Sequence, residues 1–129
     1  MRVLLDTHAF LWFIGGCPEL SPTARELIED PDNQPLLSMA SLWEMAIKLS
    51  LGKLSLTGPF DVLVPHHMRL NGINLLDIRL KHITAVAALP FHNHRDPFDR
   101  LLIAQAMTEQ LPLLSSDLAF DAYSVKRLW

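Results

Sequence analysis

The amino-acid sequence predicts an α/β fold, a three-layer α/β/α sandwich around a central, mostly parallel sheet of four to five strands. Three observations point there. Met1–Leu5 is a short continuous apolar run, as in strands buried on both faces. Runs of this kind alternate with helical segments, which places crossover helices over both faces of a parallel sheet. The segment Pro97–Gln110 is apolar nearly all round, as a buried helix is.

The elements follow in order. After the first strand, Thr7–Ile14 reads as a helix stopped by Gly15-Gly16. Ser21-Pro22 starts the next helix, with serine as cap and proline at the first helical position, and it runs to Asp30. Pro35–Ser38 is a brief strand, and Met39–Leu51 a helix ended by Gly52. Pro59–Leu70 is helical, with Pro65 expected to kink or break it. Ile73–Ile78 is a strand, Leu80–Leu89 a helix, and Pro97–Gln110 the long buried one. Leu111–Ser115 is a strand, Leu118–Tyr123 a helical turn, and Val125–Leu128 a last strand. No repeat or Gly/Ser linker divides the chain, so residues 1–129 read as a single domain.

Composition excludes several classes. The chain is 50% hydrophobic and 19% charged, which is incompatible with intrinsic disorder. The longest unbroken apolar stretch, Ala9–Cys17, is about half of the roughly 20 residues that span a bilayer, so no membrane association is expected. Asp6 and His8 interrupt the apolar N-terminus before a secretory core forms. The one cysteine, Cys17, can make no internal disulfide and reads as a core residue. These features predict a cytoplasmic protein. A net charge of −3 argues against holding nucleic acid by bulk electrostatics. Clustered cations such as Lys48 and Lys53 leave a locally basic face open.

In an open parallel sheet, ligands sit beyond the carboxyl ends of the strands. Asp6 immediately follows the first strand, and Asp117 comes just after the strand ending at Ser115. Glu44 lies in the helix leaving the second strand, and Asp99 in the first turn of the long helix. Four carboxylates distant in sequence are thereby expected at one edge of the sheet. Like charges that close raise each other's pKa and destabilise the fold unless a cation lies between them. Oxygen-only ligands suit Mg²⁺ or Mn²⁺ rather than zinc.

Each acid alone has a simpler structural reading. Asp6 can cap the following helix. Glu44 completes a Ser41-x-x-Glu44 capping box and can pair with Lys48 one turn on. Asp96, ahead of Pro97, reads as an N-cap whose box Asp99 could close, although Asp99 on so apolar a helix needs a partner. Asp117 can cap the turn that follows, and Asp121 reads as solvated. Only their convergence argues for a site. His92 and His94 read as solvated loop residues, and Trp12, Phe13 and Trp43 as core aromatics. Gly52-Lys53 lacks the upstream glycine and the Ser/Thr of a phosphate-binding loop. A haloacid-dehalogenase-type phosphatase carries a second aspartate where His8 stands, and no serine or cysteine sits in an elbow motif.

Four segments together resemble the PIN domain, and within it the VapC-type toxins of type II toxin–antitoxin modules. They are Leu4-Leu5-Asp6-Thr7-His8, Ser41-Leu42-Trp43-Glu44-Met45-Ala46-Ile47-Lys48 with Leu51-Gly52-Lys53-Leu54, His94-Arg95-Asp96-Pro97-Phe98-Asp99-Arg100, and Leu114-Ser115-Ser116-Asp117. The similarity runs along the whole chain. Arg-Asp-Pro-Phe-Asp-Arg is its most specific piece, and Ser115 stands where the family often has threonine. The resemblance implies a Mg²⁺- or Mn²⁺-dependent endoribonuclease with a metal site built by Asp6, Glu44, Asp99 and Asp117. Asp99 matches the family's third acid because it precedes Leu-Leu-Ile-Ala-Gln-Ala, which leaves Asp96 auxiliary. A homodimer is implied too, inhibited by a cognate VapB-like antitoxin lying over the toxin's groove.

The chemistry follows on physical grounds. No side chain here is an obvious nucleophile, whereas a divalent ion activates water and neutralises charge on phosphorus. Asp6 and Asp99 are then the principal ligands, with Asp117 and Glu44 completing the shell or orienting water. Ser115 positions Asp6 or a metal-bound water, and Lys48, Arg95 and Arg100 are candidates for phosphate contacts. The competing readings are a non-catalytic PIN-like RNA-binding or scaffold module, and a phosphatase or DNA-directed nuclease using the same site.

Overall fold

β1 (Arg2–Leu5) is the middle strand of a five-stranded, wholly parallel sheet in the computed structural model, which describes residues 1–129. β2 (Gln34–Ser38) and β3 (Asn74–Leu76) lie on one side of it, β4 (Leu113–Leu114) and β5 (Arg127–Leu128) on the other. Between them run α1 (Thr7–Gly15), α2 (Pro22–Glu29), α3 (Met39–Ser50), α4 (Phe60–Leu70), α5 (Leu80–Ala88) and α6 (Pro97–Glu109). Leu118–Ala122 forms a 3₁₀ turn.

The three layers follow from alternation along β1, whose side chains point to opposite faces in turn. Val3 and Leu5 enter a core with Phe10, Phe13, Ile28 and Met45, from the α1–α3 side. Leu4 enters a second core with Leu102, Ile103, Leu113 and Phe120, on the α6 side. A strand flanked by two cores can be apolar at successive positions, which is why Val3–Leu5 shows no polar alternation, while Arg2 stays exposed at the start of the strand.

Strand order β3-β2-β1-β4-β5 sets where a ligand can sit. The chain builds outward from β1 through β2 to β3, then crosses back by α5 and α6 to β4 on the opposite side of β1. The crossovers therefore diverge between β1 and β4, which opens a crevice at the carboxyl ends of those two strands.

The local helix signals act as expected at two starts. Ser21 Oγ accepts the Ala24 N–H at 3.0 Å, and Asp96 Oδ1 accepts those of Phe98 and Asp99 at 2.9 and 3.0 Å. Elsewhere the structure corrects the sequence reading. α3 is capped by Ser38, whose hydroxyl accepts the Ala40 N–H, so Ser41 and Glu44 form no capping box. Ser41 lies inside the helix and receives the Thr7 hydroxyl at 2.8 Å, tying α3 to α1. Pro65 does not break α4, which stays helical through it while Val64 anchors it in the core. β3, β4 and β5 are shorter than their apolar runs, because a strand extends only as far as its neighbour pairs with it. Trp43 is 61% exposed, edge-on to Phe98, and Cys17 is half-buried rather than in the core.

α6 is buried at Arg100 and through Leu102–Ala106, and of its two buried polar residues, Arg100 and Gln105, the second reaches the sheet. Gln105 accepts the Ser38 hydroxyl through Oε1 and donates to the Asp77 carbonyl at 3.3 Å. His82 Nδ1 accepts the Arg79 N–H, so the ring proton sits on Nε2 and is donated to Glu109 at 2.9 Å. That bond is the main reason the Glu109 carboxyl lies below its ordinary range.

Candidate metal centre at the strand switch

Asp6 is the first residue beyond β1, and its N–H donates to the Leu114 carbonyl at 3.0 Å, so the β1–β4 pairing holds it at the crevice. Its carboxylate is buried. The Ser115 hydroxyl, also buried, donates to Asp6 Oδ2 at 2.7 Å and accepts the Asp117 N–H at 3.1 Å. One serine at the end of β4 thus links the acid that follows β1 to the acid that follows β4.

α3 brings Glu44, buried and paired with Lys48 Nζ at 3.1 Å. α6 brings Asp99 in its first turn, with Oδ2 2.9 Å from His94 Nε2. Ligand atoms of His94, Asp99 and Asp117 all lie within 4.8 Å of one another. Asp117 is exposed and also caps the 3₁₀ turn, its Oδ1 accepting the Ala119 N–H at 2.9 Å. Asp96 remains the cap of α6, while Asp121 pairs with Arg127 instead of standing free.

The electrostatics show how tightly these groups are gathered. Burial pushes the Asp6 carboxyl up from its ordinary range, against the Ser115 hydrogen bond, and the Glu44 charge pushes the same way. Burial likewise raises Asp99 to about 6, against the His94 hydrogen bond, with Asp96 and Asp6 adding repulsion. Asp6 therefore feels Glu44, and Asp99 feels Asp6. A set of oxygen donors whose charges are desolvated and mutually repelled is chemically suited to a hard divalent cation.

Two sequence expectations change here. His94 is not a solvated loop residue but is buried beside Asp99, between the rings of Phe120 and Tyr123. It went unread because a loop histidine carries no periodic signal. Arg100 is buried, not a surface group free for phosphate. Its guanidinium donates to the carbonyls of Leu89, Pro90 and His94 at 2.9, 3.1 and 3.4 Å, under the Phe91 ring at 4.2 Å. Arg100→Lys keeps the charge and loses the fork, and should lower stability by about 2 kcal/mol, read as a fall in Tm of roughly 5–10 °C. An unchanged Tm would contradict the clamp. Of the other two cations, Lys48 is engaged by Glu44 and Arg95 is exposed.

Comparison with known proteins agrees with this geometry. The family model described as "PIN domain" matches residues 3–126. A curated relative, Ribonuclease VapC16 of Mycobacterium tuberculosis, is 41% identical over 58 residues, a stretch that covers 45% of this chain and 41% of that protein. The chain thus spans less than half the length of that relative. VapBC2 from Rickettsia felis, solved bound to a promoter DNA fragment, superposes with a TM-score of 0.72 at 15% identity, covering 99% of this chain and 98% of that one. VapBC-1 from nontypeable Haemophilus influenzae gives 0.69 at 13%, covering 99% and 97%, and FitAcB from Neisseria gonorrhoeae 0.66 at 18%, covering 100% and 97%. With the strand order, the acid-lined switch and a match spanning nearly every residue in agreement, the chain belongs to the PIN domain family, with its likeness there to the VapC-type toxins.

Proposed function

We propose that this chain is a divalent-metal-dependent endoribonuclease, the toxin of a VapBC-type toxin–antitoxin module. What supports the reading is a chain of neighbours at the strand switch: the Glu44 charge acts on Asp6, Asp6 acts on Asp99, and Asp99 lies within 4.8 Å of Asp117, with burial raising both Asp6 and Asp99. In this reading Asp6 and Asp99 hold Mg²⁺ or Mn²⁺, and Asp117 and Glu44 complete the shell. When bound, the ion lowers the pKa of its water and neutralises charge on the scissile phosphate. Ser115 fixes Asp6 by its hydrogen bond, and Asp96 keeps the start of α6 in place so that Asp99 stays aimed at the crevice. Arg95, exposed next to His94 in sequence, meets the phosphate backbone, and Lys48 screens Glu44.

Partners follow the same reading. A groove of about 430 Å³, with Leu11, Trp12, Leu54 and Leu56 in its lining and Lys48 and Lys53 among its cations, suits the cognate VapB-like antitoxin. The similar VapBC and FitAcB structures support that assignment, and a homodimeric toxin belongs to the same reading by the family resemblance alone. One sheet flanked by two cores supports residues 1–129 as a single PIN-like domain. No helix is long and apolar enough to cross a membrane, and a cytoplasmic location goes with an RNA substrate.

RNA and DNA oligonucleotides of one sequence separate the readings. Cleavage of the RNA alone, with Mn²⁺ or Mg²⁺ and abolished by EDTA, is the expected result. Cleavage of the DNA alone would favour the DNA-directed nuclease. Binding without turnover would favour a scaffold.

A further inference from the structure

The loop before α6 is built at some expense to hold one imidazole. His92 and Asn93 are both left-handed, with φ of 45° and 62°, a conformation uncommon for residues with a side chain, although His and Asn enter it more readily than most. Three things impose it here. The Arg100 guanidinium gathers the carbonyls of Leu89, Pro90 and His94, the Tyr123 hydroxyl donates to the Phe91 carbonyl at 2.6 Å, and the His94 N–H donates to the same carbonyl. What the turn delivers is the His94 ring, 9% exposed, with Nε2 against Asp99 Oδ2.

The other nitrogen decides what that ring does. Nδ1 is buried and has no hydrogen-bond partner. A histidine that ligates a metal through Nε2 must carry its proton on Nδ1 and ordinarily donates it to an acceptor. No acceptor is present here, and an unmatched buried N–H is worse than an unmatched lone pair. An arrangement with the proton on Nε2 is therefore the one this site accommodates, and it makes His94 a donor to Asp99. Asp99 Oδ1 takes no hydrogen bond from the protein.

We propose that His94 is a positioning residue for the metal centre: its Nε2–H grips Asp99 Oδ2, fixes the carboxylate's rotation and leaves Oδ1 to face the cation. This rests on the metal-dependent reading above, and it adds a non-acidic residue to the four acids. His94 is not itself a ligand.

Titration calorimetry of the full chain with Mn²⁺ and with Mg²⁺ tests it, using wild type, Asp6→Asn, His94→Leu and His94→Gln, each checked for its fold by circular dichroism in EDTA. His94→Leu removes the donor and should weaken both metals by about 10–100-fold in the same ratio. His94→Gln places an N–H donor near the Nε2 position and should recover most of the loss. Where the leucine variant does not fold, His94→Phe fills the aromatic niche instead. Unchanged affinity in the folded donorless variant would overturn the proposal, as would no recovery with glutamine. A loss confined to Mn²⁺ would make His94 a direct ligand and also overturn it. If wild type and Asp6→Asn alike bind neither ion, the metal reading itself falls and takes this one with it.

Discussion

Asp6→Asn should lose RNA cleavage by at least about a thousandfold, because the activating ion supplies several kcal/mol of transition-state stabilisation and each 1.4 kcal/mol is tenfold in rate. The substitution removes the charge but keeps the side chain's shape and its acceptor for the Ser115 hydroxyl, so the fold should survive. Its stability in chelator should equal or exceed that of wild type, because burial penalises the charged carboxylate that the substitution removes. Initial rates on a permissive RNA, paired with thermal melts in EDTA, check both halves. Full activity in the variant would remove Asp6 from the mechanism, and a collapsed melt would make it a structural residue.

The second large effect is on stability. Asp99 is raised to about 6 from an ordinary value near 3.8, so the folded state holds that proton more tightly than the unfolded chain. Stability from this group is fully present below about 3.8 and is lost as pH rises through about 6. For a side chain 23% exposed, the loss is about 2–3 kcal/mol. Asp6, also raised, acts with the same sign. In EDTA the Tm should therefore fall across that interval, and Asp99→Asn should flatten the fall. A divalent ion at a hundredfold excess over Kd should restore about 2.7 kcal/mol at pH 7, a rise of roughly 5–15 °C. A flat profile in chelator and no response to metal would mean that the acids do not share a site.

The parts of this molecule legible in the sequence are those with local causes. Ser21-Pro22 and Asp96-Pro97 cap their helices through bonds spanning two or three residues, so their chemistry is written beside them. Asp6 and Asp117 could be assigned to one edge because both follow short apolar runs, and parallel strands end on the same side. The misread parts have distant causes. That Ser38 rather than Ser41 caps α3 follows from where β2 ends, and Ser41, inside the helix, takes its partner Thr7 from another helix. Arg100 looks like a surface cation until a loop ten residues upstream folds its carbonyls onto it. The burial of His94 needs Phe120 and Tyr123, and Trp43 is exposed because nothing in this chain covers it.

Asp6 and Ser115 are joined by a hydrogen bond across 109 residues of chain. In order of synthesis the first partner precedes the second by that whole span. Until β4 has emerged and docked beside β1, Asp6 has neither Ser115 nor Asp117 for company. Long-range pairing of this kind closes late in folding. The acids of the crevice consequently come together only after residues from both ends of that span have met, which makes the site one of the last features of the fold to be assembled.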